Sequence, residues 1–306
     1  MIERRAFLGG ALAGCAGLAL GFPRGARAAS PTVTPLTREL ALVSGAGGNV
    51  LVRAGRDGQA LVDTGAADAR DALLAALAEL PGAGRVQIVF NTHWHPEQVG
   101  SNVAFGRAGA RIVAHAKTAA RLAARYYLRE EDRYRNPLPE EGRPTETFYD
   151  RGETVVDGER VEYGYLLEAH TDGDIYVFFR DSNVMAVGDA VSPARDPVLD
   201  WFGGGWLGGR VDSLARVLEI SDDDTRFVPA YGPAVGRAAV QAEHDLMLEI
   251  FERMVEHVRK GESAAVMLAE GLLDGLPRTF DDPFAFVYAA HKGFWAHHNT
   301  LSPDVV

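Results

Sequence analysis

The chain has 306 residues, with 31 basic and 42 acidic side chains, a formal net charge of −11 and a single cysteine. So negative a balance argues against nucleic acid or an anionic membrane surface as the main partner. One cysteine has no partner within the chain, so the fold has no internal disulfide to lean on.

The N-terminus reads Met1-Ile2-Glu3-Arg4-Arg5-Ala6-Phe7-Leu8, an arginine pair followed by apolar residues, as in a twin-arginine export signal. The Gly- and Ala-rich stretch from Ala6 to Phe22 is too mild and short to span a bilayer. Ala26-Arg27-Ala28 fits a small-x-small cleavage site, so residues 1–28 are read as a signal peptide and the protein as periplasmic or secreted. Leu12-Ala13-Gly14-Cys15 leaves lipidation at Cys15 open as an alternative, although the apolar region continues past it. Cleavage at Ala28 leaves 27 basic and 41 acidic residues, a net charge of −14, and no cysteine. Any metal must then be held by nitrogen and oxygen.

Leu40–Ser44, Asn49–Ala54 and Gln59–Asp63 read as a meander of strands, the last two joined at Arg56-Asp57-Gly58. Leu73, Leu74, Leu77 and Leu80 repeat at helical spacing over Ala67–Leu80, and Pro81-Gly82 stops that helix. Val86–Phe90 is an apolar strand that runs into Asn91-Thr92-His93-Trp94-His95. Side chains alternate along a strand, so extended backbone beyond Phe90 would aim His93 and His95 the same way, as half of a metal site. A helix over Val99–Phe105, a strand at Arg111–Ala114, a helix over Lys117–Leu128 and a charged surface loop over 129–147 follow. Thr154–Asp157, Glu159–Tyr165, Ile175–Arg180 and Asn183–Val187 read as antiparallel strands of a second sheet.

Residues 191–210 hold three aromatics among five glycines, in Asp200-Trp201-Phe202-Gly203-Gly204-Gly205-Trp206-Leu207-Gly208-Gly209. Two readings stay open for this segment: a mobile flap with an apolar surface, or a turn-rich connection packed on the core. Val211–Ile220 reads as a helix and Phe227–Val228 as a strand. Ala238–Lys260 is a long amphipathic helix, with shorter helices beyond it to about His298. That tail covers a sheet face or makes a dimer. No later segment is long and apolar enough to span a membrane.

The motifs that close these strands come in a telling order. Asp63-Thr64-Gly65 is followed by Thr92-His93-Trp94-His95, then His170-Thr171-Asp172-Gly173-Asp174, then Val187-Gly188-Asp189, then Val228-Pro229-Ala230-Tyr231-Gly232-Pro233. As a set this order resembles the metallo-β-lactamase superfamily over about residues 40–235. The resemblance implies an α/β fold, an αββα sandwich with the metal site at one edge of two facing sheets. Residues 29–236 would form that domain, and residues 237–306 a helical C-terminal extension packed on it. It also implies a zinc-dependent hydrolase acting on a small molecule. His93, His95 and His170 would be metal ligands, Asp189 a ligand or base, and Asp63 a carboxylate holding a ligand histidine by its far N–H. A metal-bound hydroxide would attack a carbonyl-type substrate: an ester, lactone, thioester or amide, β-lactams included.

The chain departs from the family pattern at the second metal site. Where the family has His-x-His-x-Asp-His, Glu97 and Gln98 take the last two positions, and Tyr231 stands where a final histidine usually falls. The expectation is one good zinc site and a degenerate second one. Glu97 is read as a stretched ligand or general base, Gln98 as a residue behind the ligands, and Tyr231 as a donor to a substrate oxyanion. The same losses motivate an alternative: a non-catalytic ligand-binding protein that keeps the scaffold and a structural zinc.

Overall fold

The structure, a computed structural model, describes residues 31–128 and 132–301. The first sheet contains β1 (Thr32–Pro35), β2 (Leu40–Ala46), β3 (Gly48–Ala54), β4 (Gln59–Val62), β5 (Val86–Phe90), β6 (Arg111–His115) and β9 (Glu146–Phe148), in that spatial order. A short ribbon of β7 (Tyr126–Leu128) and β8 (Arg133–Arg135) lies between β6 and β9 in sequence. The second sheet runs β10 (Arg151–Val156), β11 (Glu159–Tyr165), β12 (Ile175–Phe179), β13 (Val184–Gly188), β14 (Arg226–Pro229) and β15 (Val235–Gly236). Helices α1 (Arg70–Ala78), α2 (Pro96–Val99), α3 (Asn102–Arg107) and α4 (Ala116–Ala123) belong to the first half. Helices α5 (Leu207–Glu219), α6 (Arg237–Arg259), α7 (Ala264–Ala269) and α8 (Pro283–Leu301) belong to the second.

The layering follows from side-chain alternation. In β3, Leu51 points inward while Val50 and Val52 point outward; in β5, Ile88 and Phe90 point inward while Val89 points outward. The inward set of both sheets forms one core, where Leu42, Leu51, Phe90 and Val113 meet Val161, Tyr163, Val177 and Phe179. The outward set of the first sheet packs on Leu73 and Leu77 of α1 and Phe105 of α3. On the other side Tyr176, Phe178, Met185 and Phe227 pack on Leu214, Met247, Ile250 and Met254 of α5 and α6, with α7 and α8 completing the layer. Central strands covered on both faces must be apolar throughout, which is why β4, β12 and β13 are buried at every position. The result is the expected αββα sandwich with a helical C-terminal region.

Several elements differ from expectation. The helix expected over Lys117–Leu128 ends at Ala123, and Tyr126–Leu128 pairs instead with Arg133–Arg135. Adjacent tyrosines and a leucine suit a ribbon strand as well as a helix end, so periodicity alone could not separate them. The segment read as a loop over 129–147 also contains β8 and runs into β9, which pairs parallel to β6 at the sheet edge. Short edge strands carry too few apolar residues to declare themselves in sequence.

The pairings β4–β5, β5–β6 and β13–β14 are parallel. Parallel neighbours end at the same rim, so the loops after β4, β5, β13 and β14 gather on one edge of the sandwich. Those loops carry Asp63, His93 with His95, Asp189 and Tyr231.

Candidate metal centre

Three imidazoles converge at that rim. His93, His95 and His170 have ring centroids 4.8–4.9 Å apart and lie nearly perpendicular to one another. His93 follows β5, and His95 stands just before α2, extended at ψ 149 and followed by Pro96, which starts the helix. His170 comes from the loop before β12. There the Asp174 carboxylate accepts the backbone N–H groups of His170 and Thr171, at 2.5 and 2.8 Å, and the Thr171 hydroxyl at 2.7 Å. Burial pushes the Asp174 carboxyl up to about 7.

Hydrogen bonds on the far side of each ring set its tautomer. His170 Nδ1 donates to the Val198 carbonyl at 2.8 Å, which leaves Nε2 as a lone pair. His95 Nε2 donates to Asp200 at 3.1 Å, which leaves Nδ1. With Asp63 ionised, the Thr92 hydroxyl donates to it at 2.7 Å and accepts from His93 Nδ1, 3.1 Å away, which leaves His93 Nε2 free. Three lone pairs then face one point, with His170 Nε2 and His95 Nδ1 only 3.0 Å apart. His93 Nε2 is buried and has no hydrogen-bond partner among the described residues. A buried acceptor left bare, beside two others that repel it, fits a bound cation. All three ligand atoms lie within 4.8 Å of one another, as one ion requires.

The electrostatics favour neutral ligands where burial dominates. Burial holds His93 well below the usual imidazole range, helped by the like charges of His170 and His95. Burial also brings His170 down to about 4. At His95 burial again opposes charge, but the Asp200 carboxylate outweighs it and raises the imidazole. Asp189 is buried, yet the charges of His170 and Arg195 hold its carboxyl below the ordinary range. Its Oδ2 lies 3.8 Å from His93 Nε2 and 3.9 Å from His170 Nε2.

Asp63 does not touch a histidine. It accepts the Thr92 N–H at 2.8 Å and the Thr92 hydroxyl, and so acts on His93 at one remove. It adopts a left-handed φ of 64, a strained conformation that its buried bonds maintain. Burial raises its carboxyl from 3.8 to about 8. The folded protein therefore keeps a proton that the unfolded chain has released by pH 5, and the stability this represents drains away as pH rises toward 8. An amide at this position cannot titrate. The advantage of wild type over Asp63→Asn should therefore shrink by on the order of 2 kcal/mol between pH 5.5 and 8. Thermal melts of metal-free protein measure it, and a pH-independent difference would contradict it.

The site opens to a cavity of about 220 Å³ lined by Glu97, Gln98, Asp189, Arg195 and Tyr231 as well as two of the histidines. Glu97 is half-buried at the wall, and Gln98 is buried beside the Tyr231 phenol. The Tyr231 phenol is raised by burial and by the nearby Asp189 charge, and its ring lies 3.6 Å beneath the Arg195 guanidinium.

Sequence reasoning passed over Asp200, Arg195, Thr92 and the Val198 carbonyl. Asp200 opens the aromatic and glycine-rich stretch, whose composition masks its carboxylate. Those glycines serve close packing more than mobility: a Cβ at Gly205 would lie 2.0 Å from the His170 carbonyl oxygen, and one at Gly203 2.7 Å from the Trp94 ring. Trp206 stacks on His297 at 3.8 Å, while Phe202 is exposed. Among the described residues one other such group exists, His257 with Glu262 and Glu270, away from this rim.

A family model described as the metallo-beta-lactamase superfamily matches residues 45–232. No curated protein matches the sequence. Among solved structures, a metallo-beta-lactamase from Pontibacter korlensis is similar at 19% identity and a TM-score of 0.58, covering 71% of this chain and 99% of that one. DIM-1 metallo-beta-lactamase is similar at 17% identity and a TM-score of 0.56, covering 71% and 97%. The sec-alkylsulfatase Pisa1 from Pseudomonas sp. is similar at 16% identity and a TM-score of 0.64, covering 89% of this chain but 52% of that one.

Proposed function

We propose, for a chain that belongs to the metallo-β-lactamase superfamily, a zinc-dependent hydrolase of carbonyl-type small molecules with one working metal site. The observation that carries the reading is the convergence of three imidazole nitrogens within 4.8 Å of one another at one rim. His93 Nε2, His95 Nδ1 and His170 Nε2 would hold the ion, an all-nitrogen set that suits zinc. When bound there, a metal ion supplies Lewis acidity and lowers the pKa of water toward 7.

The chain's own groups do the rest. Asp189 Oδ2, kept ionised, lies beside two of the histidines and accepts a hydrogen bond from water entering the cavity, turning its lone pair toward the substrate. Glu97, on the same wall, is the carboxylate free to take a proton. Tyr231, whose raised phenol keeps its proton, donates to an oxyanion that develops on the substrate. We take residues 29–236 as the catalytic domain and 237–306 as an extension of it. Export by a twin-arginine signal is part of the same proposal and rests on residues 1–28, which lie outside the described residues. No helix among the described residues is long and apolar enough to cross a membrane.

The test is a panel of chromogenic esters, lactones, thioesters, cephalosporins and alkyl sulfates. The last two classes are chosen because the similar structures are named as lactamases and an alkylsulfatase. Turnover of a carbonyl substrate that a chelator removes and zinc restores is the expected result. Turnover of sulfates alone would replace the substrate class. Zinc binding without turnover of any of them would favour the non-catalytic binding protein, the reading that the residues at Glu97, Gln98 and Tyr231 also motivate.

A further inference from the structure

We infer that Arg195 occupies the place of a second metal ion, so that the site takes one ion on its histidines and a guanidinium supplies the second positive charge. The inference rests on the metal-dependent reading above. Asp189 divides its carboxylate between two directions. Oδ2 faces His93 and His170, whereas Oδ1 accepts from Arg195 Nη2 at 2.6 Å. A carboxylate so placed would bridge two ions; here its second oxygen already holds a cation.

Arg195 is built into this position. Its guanidinium lies 3.6 Å over the Tyr231 ring, and its Nε is buried without a hydrogen-bond partner among the described residues. Its own backbone carbonyl accepts from Arg278 Nη2, and Arg278 Nη1 donates to the Ser192 carbonyl at 2.9 Å. A side chain from beyond α7 thus pins the loop that presents Arg195. The other groups on this side of the cavity make a poor ligand set: one carboxylate (Glu97), one buried amide N–H (Gln98) and a protonated phenol (Tyr231). A divalent ion entering there would have to break a charge-assisted bond and sit against a like charge. The guanidinium does not deprotonate, so its charge is permanent, and its uncommitted N–H groups suit an anionic oxygen on a substrate.

Calorimetric zinc titration of the chelator-stripped full chain tests this, with bound metal counted by mass spectrometry. Wild type and Arg195→Lys are expected to bind one ion. Arg195→Gln and Arg195→Ser, with fold checked by circular dichroism, should each gain a second event, at least about tenfold weaker, on the freed Asp189 Oδ1. Two ions in wild type, or one ion in every variant, would overturn the assignment while leaving the metal-dependent reading intact. No ion in wild type would sink both.

Discussion

Removing His95 should cost this protein its metal, whereas removing the carboxylate behind His95 should only loosen it. His95→Ala deletes one of three nitrogens and leaves His93 and His170 facing each other across a gap that two ligands close poorly. Zinc affinity is expected to fall by more than about a thousandfold, and zinc-dependent turnover with it, because a three-nitrogen site has no spare ligand. Asp200→Asn keeps all three nitrogens. The amide still offers a carbonyl to His95 Nε2, but it no longer offsets the burial that works against a basic imidazole. Loss of such an outer partner typically weakens binding by about 10–100-fold. Competition with a chromogenic chelator measures both. Equal losses would mean that Asp200 is itself a ligand; no loss in His95→Ala would place the metal elsewhere.

The largest effect on stability is expected behind the pocket wall, at Glu243. Arg210 of α5 is completely buried, and its guanidinium bonds Glu243 of α6 at 2.6 Å, the Ser192 hydroxyl at 2.8 Å and the Asp189 carbonyl at 2.7 Å. Glu243 in turn accepts the Ser192 N–H on both oxygens. Glu243→Ala leaves that guanidinium charged and without its counter-charge, a loss that typically costs about 3–5 kcal/mol. Arg210→Met with Glu243→Leu removes both charges and should recover much of it, since a buried apolar pair carries no desolvation penalty. Denaturant unfolding of the metal-free protein separates the cases. A double variant as unstable as Glu243→Ala alone would show that the lost bonds to Asp189 and Ser192, not the orphaned charge, dominate.

How much of this was legible in the sequence depended on whether a residue's role is local. His93 and His95 stand out as a pair after an apolar strand, but a pair alone is a weak signal, and the later motifs gave it weight. His170 and Asp189 close strand-like runs in the same way, and the ordered set of motifs carried the fold. Asp63 was visible as a strand-end carboxylate, but its partner was not: the reach to Thr92 instead of a ring depends on β4 and β5 lying side by side. Asp200 and Arg195 were illegible for a plainer reason. Both sit in turn-rich chain without periodicity: Asp200 gains its role from His95, 105 positions away and brought close only by folding, while Arg195 is only 6 positions from Asp189 but in chain whose pattern does not say where its side chain points. The ribbon of β7 and β8 escaped because short, half-exposed strands have no apolar signature.

The ties between the last helices and the Asp189 loop carry a meaning for ancestry and for engineering. The family match ends at residue 232, yet Glu243, the counter-charge of the Arg210 that holds the Asp189 carbonyl, and Arg278, which pins the loop bearing Arg195, both lie beyond that boundary. The unit of inheritance recognisable in sequence and the unit of chemistry are therefore different lengths of chain. A fragment trimmed to the recognisable part would keep His93, His95 and His170 and lose the clamps behind the aspartate beside them. Exchange of this site with a relative has to carry the tail along with the motifs.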